Sequence, residues 1–293
     1  MYKSLRKWSG IFLLPTLLAF ILSFLVPFAY GIFFSFCEFH TLEKFTFVGF
    51  DNFERVLFSG QYNFWQSLWF TVIFSVCSVV IINVAAFFIA YALTRRIPGR
   101  NLYRTVFFMP NLIGGIVLGY VWKMVLNYGV LIPLFGKDLS YSSTFGFVGL
   151  LFVLCWQQIG YMMIIYIAGL QAVPDSLIEA AKIDGATGWQ TLRRVVMPMV
   201  MPSVTICLFL SITNSFKLYD QNLALTAGLP AVTGADGITH KMTQMLALCI
   251  SDTYGASARS HGTAQAMAVV FFIIVAVISL AQLSVTRRKE VQQ

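Results

Sequence analysis

Apolar residues along this chain gather into six long runs separated by more polar stretches. The runs extend roughly over Ile11–Phe36, Leu68–Leu93, Thr105–Leu126, Phe147–Leu170, Met201–Tyr219 and Thr263–Val285. Each approaches or exceeds the roughly 20 residues that a helix needs to cross a hydrocarbon core about 30 Å thick. The pattern predicts an all-α polytopic membrane protein with six transmembrane helices, forming a single transmembrane domain over 1–293. The first run follows Lys3, Arg6 and Lys7, as the core of a signal peptide would. It is too long for that role, because such cores run about 7–15 residues. Pro15 and Pro27 bend rather than forbid a spanning helix.

The polar stretch 172–200 between the fourth and fifth runs has an organisation of its own. Asp175 is placed to cap a helix through Glu179, Ala180, Ala181 and Lys182. Gly185 can end that helix in a left-handed conformation. A second short helix is expected to start near Thr187 and stop before Pro198 and Pro202. The product would be a helix–turn–helix elbow at the membrane surface.

Composition agrees with the membrane reading. Of 293 residues 58% are hydrophobic and 11% charged, where a soluble domain carries about 25% charge. A net charge of +8 would suggest nucleic acid as partner for a soluble protein. Here the basic residues sit at the ends of apolar runs, so topology accounts for them and no nucleic acid is implied. With the N-terminus inside, Lys3, Arg6, Lys7, Arg95, Arg96, Arg100, Arg104, Lys182, Arg193, Arg194, Arg287, Arg288 and Lys289 are internal, against Lys44, Arg55, Lys137, Lys241 and Arg259 outside: 13 to 5. Positive charge inside places both termini and the 172–200 elbow in the cytoplasm.

The catalytic inventory is thin. No G-x-x-x-x-G-K-[ST] string occurs, so the chain has no phosphate loop with which to hydrolyse ATP. No H-E-x-x-H or G-x-S-x-G motif is present, and His40, His240 and His261 are far apart. Cys37, Cys77, Cys155, Cys207 and Cys249 are widely spaced, with no metal-ligand pattern. The expectation is no catalytic residue, no metal and no cofactor held by this chain.

Charges within the runs are few. Lys123, near the end of the third run, reads as a side chain snorkelling to the interface. Lys217 and Asp220, at the end of the fifth, can pair at i, i+3 or face a cavity. From Ser211 to Gln221 polar and aromatic residues interleave, with Asn214, Phe216, Lys217, Tyr219 and Asp220 among them. Amide and carboxylate groups beside aromatic faces suit a sugar, and polar side chains also serve as glue between helices. Trp156, Gln158 and Tyr161, with Gln157, form a similar mixed cluster in the fourth run.

The string Glu179-Ala180-Ala181 followed by Asp184-Gly185-Ala186 and Pro198 resembles the EAA loop of ABC importer permeases. Ala168-Gly169-Leu170-Gln171-Ala172-Val173-Pro174 before it, Pro110 and Trp122, and Phe216, Asp220 and Leu225-Thr226 after it are similar to the sugar-permease branch, the relatives of the maltose permease. The resemblance covers nearly the whole chain. It implies a type I ABC importer permease fold in a bacterial cytoplasmic membrane. It also implies a second homologous permease as heterodimer partner, an ABC ATPase dimer using ATP and Mg, and an extracytoplasmic solute-binding protein. Glu179, Ala180, Ala181, Asp184 and Gly185 would then be coupling residues that transmit ATPase motion. Asn214, Phe216, Lys217, Tyr219, Asp220, Trp156, Gln158 and Tyr161 would belong to the path of an oligosaccharide or other carbohydrate. Another solute (a polyol, a glycerol phosphate, a polyamine), a secondary carrier and a membrane enzyme stand as alternatives.

Overall fold

The computed structural model of the chain describes residues 10, 13–41, 44–60, 62–95, 97–234, 237 and 239–288. Ile11 and the basic residues Lys3, Arg6, Lys7, Arg96 and Lys289 lie outside them. In chain order come α1 (Leu13–Ser35), the hairpin β1 (Cys37–Phe39) and β2 (Phe45–Phe47), α2 (Asp51–Phe58), α3 (Phe64–Thr94) and α4 (Arg100–Phe108). They are followed by α5 (Gly115–Phe135), α6 (Ser143–Gln171), α7 (Asp175–Ile183), α8 (Gly188–Phe216) and α9 (Asp220–Leu225). The hairpin β3 (Ala231–Thr233) and β4 (Thr239–Lys241), α10 (Leu246–Ala256) and α11 (Ala258–Arg287) complete the order. Both hairpins are antiparallel, with Cys37 opposite Phe47 and Ala231 opposite Lys241. Among the described residues six helices, α1, α3, α5, α6, α8 and α11, are long and apolar enough to cross a membrane.

Two of the six differ from the apolar runs that announced them. The third span is Gly115–Phe135 rather than 105–126. Pro110 has no amide proton and restricts the residue before it. The chain therefore leaves α4 through a short 3-10 turn at Met109–Leu112 and passes through extended Ile113 before α5 starts. Lys123, expected near the end of its helix, stands well inside α5, which continues to Phe135. The fifth span is Gly188–Phe216 rather than 201–219. The second half of the elbow is thus no separate helix stopping before Pro198. It runs through Pro198 and Pro202, with a wider π turn at Leu192–Val196 just ahead. Spanning helices accept such prolines where local widening of the ladder and neighbouring groups satisfy the freed carbonyls.

By packing, the chain divides into two compact units, one of residues 1–64 with 250–272 and the other of 65–249 with 273–293. In the first, Asn52 is the organising residue. It is 1% exposed. Its Nδ2 donates to the carbonyls of Ser35 (3.0 Å) and Cys37 (2.8 Å), and its Oδ1 accepts from Thr263 Oγ1 at 3.3 Å. One amide thereby joins α2 to the end of α1, the start of β1 and α11. Glu38 on β1 accepts from Arg55 Nη1 on α2 at 3.2 Å, and that hydrogen bond holds the guanidinium above its ordinary pKa. His261 stacks on Tyr254 with ring centroids 4.1 Å apart. Asn52→Ala will leave two buried carbonyls without a donor, at about 1–3 kcal/mol each. The purified complex should then lose thermal stability, read as a lower unfolding midpoint; an unchanged midpoint would remove Asn52 from this role.

The second unit has the larger core, with Phe74, Ile82, Leu150, Met162, Met163 and Val200 essentially buried. A polar triad crosses it. Tyr166 Oη on α6 donates to Asn83 Oδ1 on α3 at 2.8 Å, and Asn83 Nδ2 donates to Ser211 Oγ on α8 at 2.8 Å and to the Val79 carbonyl. Such bonds within membranes average about 0.6 kcal/mol, so they fix helix register more than they stabilise. The five cysteines form no disulfide; all but Cys77 are buried.

Candidate functional site

Two regions carry most of the sequence-predicted residues, and both lie in the second unit. The first is a cavity of about 300 Å³ where α5, α6, the end of α8 and α9 meet. Its construction begins with the break before α5. The carbonyl of Ile113, freed by that break, accepts from Gln157 Nε2 at 3.0 Å. Gln157 Oε1 in turn accepts from Gln221 Nε2 at 2.5 Å. Across the cavity Asn214 Nδ2 donates to Gln158 Oε1 at 3.3 Å. Four side-chain amides from three helices therefore converge on one space. α9 comes close because Gly115 has no side chain: a Cβ there would lie 2.8 Å from Asp220 Cβ.

Asn214, Lys217, Tyr219, Asp220 and Gln158 line this cavity. The pairing of Lys217 with Asp220 on one helical face does not occur. α8 ends at Phe216, and Lys217–Tyr219 turn the chain before Asp220 opens α9. Both charged residues are exposed to the cavity, and no ion pair within 4 Å joins them. Phe216, Trp156 and Tyr161 are not among the lining residues. Phe216 is 4% exposed. Trp156 packs edge-on against Trp122 at 5.2 Å, and Tyr161 rests on the apolar core. Gln157, named with the fourth-run cluster, and Gln221, at the end of the interleaved 211–221 stretch, also line the cavity, though neither was among the residues assigned to the solute path. Their signal lay in the pattern: glutamines inside apolar helices need partners.

The second region is the elbow. α7 begins at Asp175 itself, after extended Pro174, and no side chain caps it. Asp175 therefore acts through its charge in the first turn, not as the cap. The exit is a Schellman motif: Ala186 N donates to the Ala181 carbonyl at 2.9 Å and Gly185 N to the Lys182 carbonyl at 3.1 Å, with Gly185 at φ +76°. Two residues later Thr187 caps α8. Gln190 N donates to Thr187 Oγ1 at 3.3 Å, and Thr187 N donates to Gln190 Oε1 at 2.8 Å. The stop of one helix and the start of the next are both locked by local bonds.

Glu179, Ala180, Asp184 and Gly185 are exposed on this elbow, whereas Ala181 is buried within the chain. Ala181 thus seats α7 on its own protein, and only Ala180 of the pair faces outward. Ile183 is 86% exposed and Leu177 41%. Two large apolar side chains on a polar elbow are what a docked partner would cover.

The second unit thus holds a polar cavity between α5, α6, α8 and α9, and an elbow between α6 and α8 whose turn is closed by local bonds. Residues 95–291 match the family model described as "Binding-protein-dependent transport system inner membrane component". The chain is 43% identical over 292 residues, 97% of its length and 96% of the relative's, to the "Probable starch degradation products transport system permease protein AmyD" of Thermoanaerobacterium thermosulfurigenes. It is 30% identical, over 98% of its length and 97% of the relative's, to the "Multiple sugar-binding transport system permease protein MsmF" of Streptococcus mutans. In fold it is similar to a chain of a bacterial ABC transporter involved in the import of the acidic polysaccharide alginate. That match has a TM-score of 0.78 and 18% identity, and covers 98% of each chain. The chain belongs to the family of inner-membrane permease subunits of binding-protein-dependent ABC importers. Membership sets aside the secondary carrier and the membrane enzyme.

Proposed function

We propose that the solute is a short neutral oligosaccharide, of the kind released from starch, and that it passes through the cavity around Asn214 and Tyr219. The observation that carries this reading is the convergence of Gln157, Gln158, Asn214 and Gln221 on one space beside Tyr219. Amides donate and accept, as sugar hydroxyls do, and a phenol ring offers a face to the sugar's C–H bonds. The names of the relatives from Thermoanaerobacterium and Streptococcus point to the same solute class.

In this reading both termini and the elbow are cytoplasmic, which the 13-to-5 distribution of basic residues supports. The chain pairs with a second, homologous permease. Two ATPase subunits, which bind ATP and Mg, grip Glu179, Ala180, Asp184 and Gly185, and an extracytoplasmic binding protein delivers the sugar. Ile183 and Leu177 extend that contact with apolar area.

The test uses the whole importer in proteoliposomes, with its binding protein and ATP, and radiolabelled maltotriose as solute. Asn214→Ala and Tyr219→Ala should each lower uptake about 5- to 10-fold, as loss of a hydrogen bond or ring contact of roughly 1 kcal/mol implies. The ATPase should stay bound in both. Unchanged uptake in both variants, or no transport of any glucose oligomer by the native complex, would end the proposal.

A further inference from the structure

On α3, α6 and α8, away from the sugar cavity, lies a groove of about 370 Å³ lined by Val84, Phe87, Phe88, Trp189, Met197 and Val204, with Arg193 at one end and Asn83 and Tyr166 at its floor. It starts where α3 and α6 end and α8 begins, at the elbow. From Trp189 to Val204 is about 22 Å along α8 at ~1.5 Å per residue, somewhat more than the ~15 Å depth of one leaflet. We propose that this groove holds one anionic phospholipid, with an acyl chain along Phe88, Val84 and Val204 and its phosphate on Arg193.

Three features select that occupant. The polar atoms at the floor are already satisfied: the Asn83 amide donates to Val79 and Ser211 and accepts from Tyr166. The groove therefore asks for nothing polar at its deep end. About 370 Å³ spread over that length admits a slender chain and not a helix about 10 Å across. At the rim the chemistry changes. Arg193 and its neighbour Arg194 are exposed, and among the described residues no carboxylate lines the groove and no ion pair involves Arg193. Trp189, 64% exposed, stands beside it, as indoles do at headgroup level. An unpaired guanidinium over an apolar slot fits a phosphate ester with a hydrocarbon tail, and basic pockets between spanning helices bind such headgroups. The inference needs only that this end of α8 reaches a membrane surface. It does not depend on the identity of the sugar or on which side the elbow faces.

The experiment takes the assembled importer, delipidated in detergent, and titrates it with dioleoyl phosphatidylglycerol or dioleoyl phosphatidylcholine. Bound lipids are counted by native mass spectrometry. The native complex should retain phosphatidylglycerol at least fivefold more tightly than phosphatidylcholine. Arg193→Gln, a change at an exposed position, should cost one tightly held phosphatidylglycerol per permease. Val84→Trp, which fills the slot, should cost the same lipid whatever its headgroup. An unchanged lipid count in Arg193→Gln overturns the proposal. So does release of the second permease by Val84→Trp without any loss of lipid, since the groove would then be a protein interface.

Discussion

Gly160→Val is expected to abolish the folded permease. Gly160 faces the backbone of α4 so closely that a Cβ would overlap the carbonyl group of Phe107. The obstructing atoms are main chain, which cannot rotate aside as a side chain can. Overpacking a tight interface costs about 1–3 kcal/mol and more where backbone must move. Each 1.4 kcal/mol is about tenfold in the folded-to-unfolded ratio. α4 also leads into the Pro110 break and the Ile113 carbonyl that Gln157 caps, so displacing it disturbs the cavity. The monodisperse fraction of a fluorescent fusion on size exclusion should fall to a small part of the native level. Gly129→Val is the control, because nothing lies within 4 Å of a Cβ there. A normal monodisperse peak for Gly160→Val would show that α4 does not pack as described.

Gly185→Val and Glu179→Lys should instead leave the permease in the membrane and stop transport. Gly185 holds φ +76° with open space around it, so the obstacle to valine is the backbone conformation alone. A left-handed β-branched residue costs at least ~1–2 kcal/mol. The Schellman motif should yield before the spans do, and α7 will swing relative to α8. Asparagine tolerates this conformation, so Gly185→Asn should recover most of the activity. Glu179→Lys reverses a charge on the exposed face of α7 where a basic partner is expected. Uptake should fall more than tenfold in both, with weaker ATPase co-purification or with hydrolysis no longer stimulated by solute. If both keep normal uptake and stimulation, the elbow is only a connector.

What could be read in advance follows from which forces are local. Six spans were legible because each buries enough apolar length in lipid to be visible within about twenty residues. Gly185 and Thr187 were legible for the same reason: a left-handed stop and a hydroxyl cap are short-range devices. Run boundaries misled where hydropathy and backbone disagree. Pro110 and the glycines after it divide an apolar run that a hydropathy window joins, whereas Pro198 and Pro202 lie inside a helix that a proline rule would end. The cavity residues were half legible. Asn214, Lys217, Tyr219 and Asp220 announce themselves by polarity. The inward turn of Phe216 and the pairing of Gln157 with Gln221, 64 positions apart, depend on a fold the local sequence does not encode.

The continuity of α8 has a mechanical consequence. The helix that Thr187 caps at the elbow also carries Asn214 at the cavity wall, about 40 Å away along one axis at ~1.5 Å per residue. A tilt of only about 10° at the elbow would sweep the cavity end through some 7 Å, taken over that length. The wide turn at Leu192–Val196 and the two prolines beyond it are the places where this stroke can be absorbed or passed on. Stiffening or loosening those few residues would retune the stroke without touching either the elbow or the cavity wall.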